Sequence, residues 1–267
     1  VGGLVGLSVG RNASITAGAG AVSQTAAIQA AGLAVTAQNS SSLTAAGNDV
    51  ATLAAKITGA NQDFAYADAN SLALGTVGSL SGLKITGNAT VIANAGAVTQ
   101  SGGDIQTAGF AVSAANGATL TTATNDIGRL AANITGPGQN FSGTDANDIE
   151  VGGVGGITGV STGGMLTLTA TAGAITQSSG GVQAGSLALT ARDGALLAGP
   201  GNHVGTLAIK LTGNGQSLQY ADSGAIALGT VGSLTGLTTV GGGDAAVSGT
   251  AVTLAQSSVT GNLTVTA

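Results

Sequence analysis

The chain has 267 residues, of which 6% are charged and 2% aromatic, and it contains 48 glycines, 2 prolines and no cysteine. The missing cysteine excludes disulfides and thiolate metal sites. The six Lys and Arg residues are scattered and the net charge is −5, which excludes a basic surface for nucleic acid or anionic lipid. Because a disordered chain is charged and poor in aliphatic residues, this composition predicts an ordered chain.

Short stretches of alternating apolar and polar residues run along the whole chain, and each predicts a β-strand with one buried face. Gly, Asn and Ser separate these stretches, as is typical of turns. Frequent glycine excludes long helices, since each glycine costs about 1 kcal/mol relative to alanine. The stretches are marked, at steps of about 19 residues, by Leu33, Leu53, Leu72, Val91, Phe110, Leu130, Ile149, Leu168, Leu187, Leu207 and Ile226. Second strands are predicted midway, at Phe64–Tyr66, Leu83–Ile85 and Leu218–Tyr220.

A second repeat, of about 77 residues, overlies these strands and is called the long repeat below. The phrase GNDVATLAAKITGANQ at 47–62 returns at 124–139 and 201–216, and LGTVGSLSGL at 74–83 returns at 151–160 and 228–237. We expect the second, glycine-rich phrase to form turns, because it lacks the Lys-Ser/Thr ending of a phosphate-binding loop. We therefore predict one segment, 1–267, made of a partial repeat at 1–31, repeats at 32–108, 109–185 and 186–261, and the start of another at 262–267. The segment is expected to be part of a longer chain.

Stacking explains how such short strands bury their apolar faces, because each unit then pairs in parallel with the units above and below. We predict an all-β, right-handed parallel β-helix of about 14 coils of about 19 residues, with the long repeat recurring every four coils. In the first phrase Val50, Leu53, Ala55 and Ile57 are expected to point inward. Asn48 is expected at a corner, and Asp49 and Lys56 on the solvent side. No apolar run is long enough for a transmembrane helix.

The repeat style resembles that of a known family. Phrases such as GLAVTA (32–37), AGAVTQSGGDIQTAG (95–109), TAGAITQSSGGVQAG (171–185) and GLTTVGGG (236–243) resemble the repeat region of large filamentous-haemagglutinin-like exoproteins. These are bacterial adhesins exported by two-partner secretion. The resemblance covers essentially the whole chain and implies a right-handed β-helical stalk outside a Gram-negative cell. The Asn-Pro motifs of the family's secretion domain are absent from the sequence, so the chain looks like shaft.

The resulting functional hypothesis is a structural or adhesive shaft segment of a secreted cell-surface exoprotein, without enzymatic activity, cofactor or metal. The expected partners are neighbouring coils or end-to-end copies, an outer-membrane transporter during secretion, and a host or environmental surface or glycan. Nucleic acid and membrane insertion are not expected. Two alternatives stay open: a self-assembling filament subunit, and a carbohydrate-binding or carbohydrate-processing β-helix module.

Acidic residues are candidate catalytic groups, because β-helix enzymes that cleave polysaccharides use clustered carboxylates. Glycoside hydrolysis needs two carboxylates within about 5–10 Å. Asp68, Asp145 and Asp222 recur once per long repeat, so we expect them to be far apart and to form Asx turns instead. Asp148 and Glu150 join Asp145 in one repeat alone, which gives weak support for a catalytic pair.

The other candidates have simpler structural explanations. His203 is the single histidine and replaces Asp49 and Asp126 at an equivalent position, which predicts a solvated turn. GGGD at 241–244 resembles a calcium-binding repeat but does not recur in tandem. Thr167, Thr169 and Thr171 alternate as in an ice-binding face, yet equivalent positions carry other residues. Six Asn-x-Ser/Thr sequons permit glycosylation, at Asn12, Asn39, Asn88, Asn133, Asn140 and Asn262.

Overall fold

The computed structural model describes residues 5–267, and the regular structure in that range consists of β-strands. The first strands are β1 Leu7–Ser8, β2 Asn12–Ala17, β3 Ile28–Ala37, β4 Ser41–Leu43, β5 Asp49–Ile57, β6 Phe64–Asp68, β7 Leu72–Leu74, β8 Thr76–Val77, β9 Leu80–Ser81, β10 Leu83–Ile85, β11 Asn88–Ala93 and β12 Val98–Gln100. Next come β13 Ile105–Thr107, β14 Gly109–Ala114, β15 Ala118–Leu120, β16 Asp126–Ile127, β17 Arg129–Ile134, β18 Phe141–Asp145, β19 Ile149–Val151, β20 Gly153–Val154, β21 Ile157–Thr158, β22 Val160–Ser161, β23 Met165–Ala170 and β24 Ile175–Gln177. The last are β25 Val182–Ala191, β26 Ala195–Leu197, β27 His203–Asn214, β28 Leu218–Ala221, β29 Ala225–Leu228, β30 Thr230–Val231, β31 Leu234–Thr235, β32 Leu237–Val240, β33 Ala245–Ser248, β34 Ala251–Thr253 and β35 Leu263–Thr266.

Parallel pairing stacks these strands into three columns, which we call faces 1, 2 and 3. Face 1 contains the paired series Lys56, Lys84, Gln106 and Asp126. Face 2 contains Phe64, Ala89, Phe110 and Leu130. Face 3 contains Leu72, Val98, Ala118, Phe141, Leu166, Leu187 and Leu207.

The predicted parallel β-solenoid is confirmed, but its coil is longer than the sequence suggested. Turns are stacked about 21 residues apart and number about 12, so they are fewer and longer than predicted. The strand landmarks of the sequence do not form one column, because Leu72 pairs with Val98, whereas Val91 pairs with Tyr66 and Val112. Because the corner loops differ in length, the spacing of about 19 residues between the sequence landmarks differs from the spacing of about 21 residues between stacked turns. At roughly 4.8 Å per turn the rod is roughly 55 Å long.

The long repeat is not a whole number of turns. On face 1 the chain passes from Lys56 through Lys84 and Gln106 to Asp126 in three turns. It then continues to Asn133, the equivalent of Lys56, which lies on face 2 between Ser113 and Ser161. Each long repeat thus takes three and one third turns, so equivalent residues move to the next face. The expectation of four turns per repeat is wrong.

The core is a narrow column of aliphatic side chains with a few aromatic rings. The predicted inward residues Val50, Leu53, Ala55 and Ile57 are all buried, and Asp49 and Lys56 are exposed as expected. The predicted second strands are also present, as β6, β10 and β28. Burying one Val, Leu or Ile contributes about 1.5–3 kcal/mol, so stability is distributed evenly along the rod.

Three short antiparallel hairpins lie on the outside of the solenoid. They are β8–β9, β20–β21 and β30–β31, and each contains the recurring GTVGSLSG-type phrase that the sequence predicted to be turns. Each has a two-residue loop whose first residue, Gly78, Gly155 or Gly232, has φ near +60°. Such primed turns match the twist of the hairpin and favour glycine there. The first copy of the phrase, residues 1–7, lies partly in residues 1–4, outside the described range.

Each hairpin covers two outward alanines, and the covered face changes from repeat to repeat. Val77 packs on Ala34 and Ala54 of the first repeat. The other two hairpins use Val154 on Ala111 and Ala131, and Val231 on Ala188 and Ala208. The three hairpins consequently lie on faces 1, 2 and 3 in succession.

Candidate functional site

The recurring polar residues of the long repeat meet at one corner of the solenoid. Asn48 is fully buried, and its Oδ1 accepts hydrogen bonds from Gln24 Nε2 (2.7 Å) and from the Ile28 amide (2.8 Å). Its Nδ2 lies within hydrogen-bond distance of Gln24 Oε1 (3.0 Å) and of the carbonyls of Leu43 (3.0 Å) and Ala67 (2.9 Å). One asparagine therefore joins three successive turns.

A buried carboxylate completes the arrangement one turn further on. Asp68 Oδ2 accepts hydrogen bonds from the Val50 amide and the Tyr66 hydroxyl, each at 2.9 Å, and Oδ1 accepts one from the Asn70 amide. Burial raises the pKa of Asp68, although these hydrogen bonds oppose the effect. Burial and the neighbouring Asp68 raise the pKa of Tyr66. We call Gln24, Asn48, Tyr66 and Asp68 the corner cluster.

The corner cluster occurs three times, once per repeat. Its other copies are Gln100, Asn125 and Asp145, and Gln177, Asn202, Tyr220 and Asp222. The three aspartates accept the predicted Asx-type hydrogen bonds from the amides of Asn70, Asn147 and Gly224. Their burial and their place in a three-turn network were not predicted, because alternation patterns assign polar residues to the surface.

The middle copy lacks a tyrosine. Gly143 stands where the flanking repeats have Tyr66 and Tyr220, so Asp145 has no phenol partner. Burial raises the pKa of Asp145 to about 6, and the carboxylates of Asp126 and Asp148 add to the rise. A small apolar void with a volume of about 10 Å³ lies beside Gly143 and Phe141.

The three aspartates lie on three different faces, so they do not form a shared site. Asp68 ends β6 on face 2, Asp145 ends β18 on face 3, and Asp222 follows β28 on face 1. The sequence analysis correctly predicted that the three aspartates are far apart, but its four turns per repeat implied that they form a single row along the rod. Since glycoside hydrolysis needs carboxylates within about 10 Å, the arrangement supports a structural role.

Asp145, Asp148 and Glu150 make separate contacts despite their proximity in sequence. Asp148 Oδ1 accepts a hydrogen bond from the Ala174 amide at 2.7 Å. Glu150 Oε1 pairs with Arg129 Nε at 2.9 Å. Hydrogen bonds from Ser178 and Arg129 lower the pKa of Glu150, so this group is suited to remain ionised and not to act as a general acid.

The remaining candidates lie apart from one another. His203 is exposed, as are Asp49 and Asp126 at the equivalent positions, and His203 Nδ1 lies 3.8 Å from Asp222 Oδ1. Asp244 of the GGGD phrase accepts a hydrogen bond from the Asn262 amide. Within residues 5–267 no group of three His, Asp or Glu residues is placed to hold a metal ion.

The threonine row and the sequons are surface features. Thr169 pairs with Thr144 and Thr190 on face 3, and the row then continues with Lys210. The hydroxyl of Thr171 donates to the Asp145 carbonyl at 2.9 Å. All six sequon asparagines are exposed.

Sequence reasoning missed a groove on face 1. Lys56 and Lys84 lie side by side there on adjacent turns, and the groove beside them has a volume of about 500 Å³. The two lysines belong to different parts of the repeat, so an alignment of the long repeats does not bring them together. An alignment of successive turns that treats the hairpin as an insertion would have placed Lys84 opposite Lys56.

Comparison with known proteins gives one match. The family described as Repeats of unknown function (DUF5649) matches residues 61–132. No curated protein and no solved structure matches the chain. The matched range extends from β6 into β17 and includes the middle Gln–Asn pair of the corner cluster, Gln100 and Asn125.

No helix capable of crossing a membrane occurs in residues 5–267.

Proposed function

We propose that this chain is a non-catalytic shaft segment of a secreted, surface-attached fibrous exoprotein of a Gram-negative bacterium. The observation that carries the proposal is that the same hairpin and corner cluster recur on each of the three faces in turn. Because each repeat advances by one face, the corner clusters and the hairpins reinforce successive sides of the rod in turn. A segment that supports every side equally is suited to bearing load along its axis.

The contacts between turns support this mechanical role. Parallel ladders join each turn to the next on every face, and each Asn of a corner cluster connects three turns. Pulling along the axis would have to break these hydrogen bonds together, because they lie side by side. The filamentous-haemagglutinin-like repeat style supports secretion through an outer-membrane transporter, with an adhesive surface carried by the same fibre.

Surface labelling of the source bacterium tests the proposal. Antibodies raised against residues 5–267 should label intact cells, and deletion of the cognate outer-membrane transporter should abolish that label. Labelling that requires permeabilised cells would contradict an extracellular shaft. Antibodies against a cytoplasmic protein provide the control for cell integrity.

A further inference from the structure

The groove on face 1 combines two lysines with polar side chains from four successive turns. Its lining residues are Lys56, Ile57, Thr58, Lys84, Ile85, Thr86, Gln106, Thr107, Asp126 and Gly128. Lys56, Lys84, Gln106 and Asp126 occupy one outward row in register. Along the axis the row therefore reads as two cations, one amide and one carboxylate.

The two lysines form an unfavourable pair in the protein alone. They are direct partners on neighbouring strands, roughly 4.8 Å apart at the backbone, and like charges placed opposite each other destabilise a sheet. The described ion pairs involve Arg129, Arg192 and His203, and none involves these lysines. An anion bound between the two ammonium groups would remove this repulsion.

The other polar groups of the groove match hydroxyl groups. Gln106 Nε2 donates to Asp104 at 3.1 Å, which leaves the Gln106 carbonyl oxygen as an acceptor. Thr58 and Thr86 donate to backbone carbonyls. Thr86 Oγ1 also accepts a hydrogen bond from the Gln62 amide, so each hydroxyl oxygen keeps at least one lone pair for a ligand. With the carboxylate of Asp126, the groove offers acceptors beside a cationic pair.

The second repeat supplies an internal comparison. On face 2 the equivalent row is Asn133, Ser161, Gln183 and His203, in the same register. Its groove has a volume of about 430 Å³, and Ala184 takes the place of Thr107. The template is thus unchanged there, whereas both lysines are missing.

We propose that the groove of the first repeat binds an acidic oligosaccharide that carries carboxylates. A carboxylate binds between Lys56 and Lys84 through charge-assisted hydrogen bonds. Sugar hydroxyls donate to Gln106 and Asp126 on the following turns, and the saccharide lies along the rod axis. This binding site does not depend on the role of the rod as a shaft.

Calorimetric titration of residues 1–267 with a galacturonic acid trimer tests the site. The double variant Lys56→Asn, Lys84→Ser carries the side chains of the second repeat, so the fold should persist and the affinity should fall at least about tenfold. Circular dichroism checks the fold, and Lys84→Gln replaces the double variant if that protein fails to fold. Equal affinity of wild type and variant would overturn the proposal.

Matched controls separate a built site from general charge attraction. Lys210→Asn removes one exposed lysine from the equivalent position of the third repeat and should leave the affinity unchanged, whereas Lys84→Ser alone should lower it. An equal loss in both variants would overturn the proposal, because general charge would then explain the binding. A neutral galactose trimer should not bind. A sulfated trimer that binds as tightly as the galacturonic acid trimer would overturn the assignment to carboxylates.

Discussion

At the scale of single residues, the buried polar groups distinguish this solenoid from a generic stack of aliphatic strands. Each corner cluster brings together a glutamine, an asparagine and an aspartate from successive turns. A buried polar group is costly unless it is paired, so these residues permit one register and penalise a slipped one. Gly143 is the exception, since it removes the phenol that completes the cluster in the first and third repeats.

Gly143→Tyr should stabilise the protein. The new phenol would donate to Asp145, as Tyr66 donates to Asp68 at 2.9 Å and Tyr220 to Asp222 at 2.8 Å. A Cβ at Gly143 would lie 3.4 Å from the Phe141 ring, and the first repeat buries Phe64 and Tyr66 together at the equivalent positions. Burial and the hydrogen bond together should add about 1–3 kcal/mol to the free energy of unfolding. Urea denaturation measures the change.

The reverse change provides the control. Tyr66→Gly should lower the free energy of unfolding by about 3–5 kcal/mol, as expected for the loss of a buried aromatic ring. A stabilising effect of Tyr66→Gly, or a large destabilisation by Gly143→Tyr, would show that the repeats differ in backbone as well as in side chain.

Asp145 should make stability depend on pH in the acidic range. Its pKa in the folded protein is about 6, above the usual value of about 3.9 for an unfolded chain. The folded state therefore holds the proton more tightly, and the resulting stabilisation is full below about pH 4 and lost as the pH rises through 6. The loss should be on the order of 3 kcal/mol, because each unit of pKa difference corresponds to about 1.4 kcal/mol.

Asp145→Asn isolates this contribution. The variant should be less stable overall, because an amide cannot accept from both Asn147 and Ile127 as the carboxylate does. The stability difference between wild type and variant should nonetheless change between pH 4 and 7, as followed by thermal unfolding. A constant difference over that range would contradict the raised pKa. Asp193→Asn, at an exposed position that does not act on the Asp145 pKa, serves as the matched control.

At the scale of elements, the hairpins act as external covers for the alanine rows. Val77, Val154 and Val231 are nearly fully buried although their strands lie outside the solenoid. Small alanines beneath them allow the hairpin backbone to approach the face closely. The hairpin also explains the longest turns, since it lies between Lys56 and Lys84, which are further apart in sequence than Lys84 and Gln106.

Val77→Ser should weaken the first hairpin without disrupting the solenoid. Val77 is 2% exposed, so the loss of its apolar contact with Ala34 and Ala54 should cost about 1–3 kcal/mol. Hydrogen exchange should show faster exchange in residues 76–81 and unchanged protection in β6. Leu196→Ser, at a 47% exposed apolar residue, should be nearly neutral. Equal effects of the two substitutions would contradict a covering role for the hairpin.

At the scale of the whole molecule, the mismatch between repeat and turn produces a rod with equivalent sides. Each long repeat ends one face further on, so three repeats distribute hairpins and corner clusters around the axis. A repeat of a whole number of turns would place every hairpin on one face. The repeating unit is therefore a fixed length of sequence, and this length is not a whole number of turns.

Deleting residues 109–185 should yield a shorter folded solenoid. Residue 108 would then precede 186, its natural successor in the repeat, and the order of faces would continue without interruption. Circular dichroism and urea unfolding should show a cooperative transition with a smaller m-value than that of the full chain. A loss of β-structure or of cooperative unfolding would contradict a template that continues from one face to the next.

The sequence alone predicted the strands, their alternation and the stacking, because side-chain period and turn residues are local properties. It placed Val50, Leu53, Ala55 and Ile57 inside and Asp49, Lys56 and His203 outside. It also identified the hairpin phrases as turns, although not as covers for a neighbouring face. The corner clusters escaped prediction, since Gln24, Asn48 and Asp68 come from three turns and appear separately as turn residues.

By itself the sequence determined that this chain is a repetitive parallel β-solenoid, because strand periodicity and the long repeat leave few other ways to bury the apolar residues. The tertiary structure alone decided the length of a turn, the shift of one face per repeat and the pairing of Lys56 with Lys84. These depend on how many residues each corner loop and hairpin absorbs. That number of residues is set by packing against the preceding turn, so it cannot be read from the spacing of the repeats in the sequence.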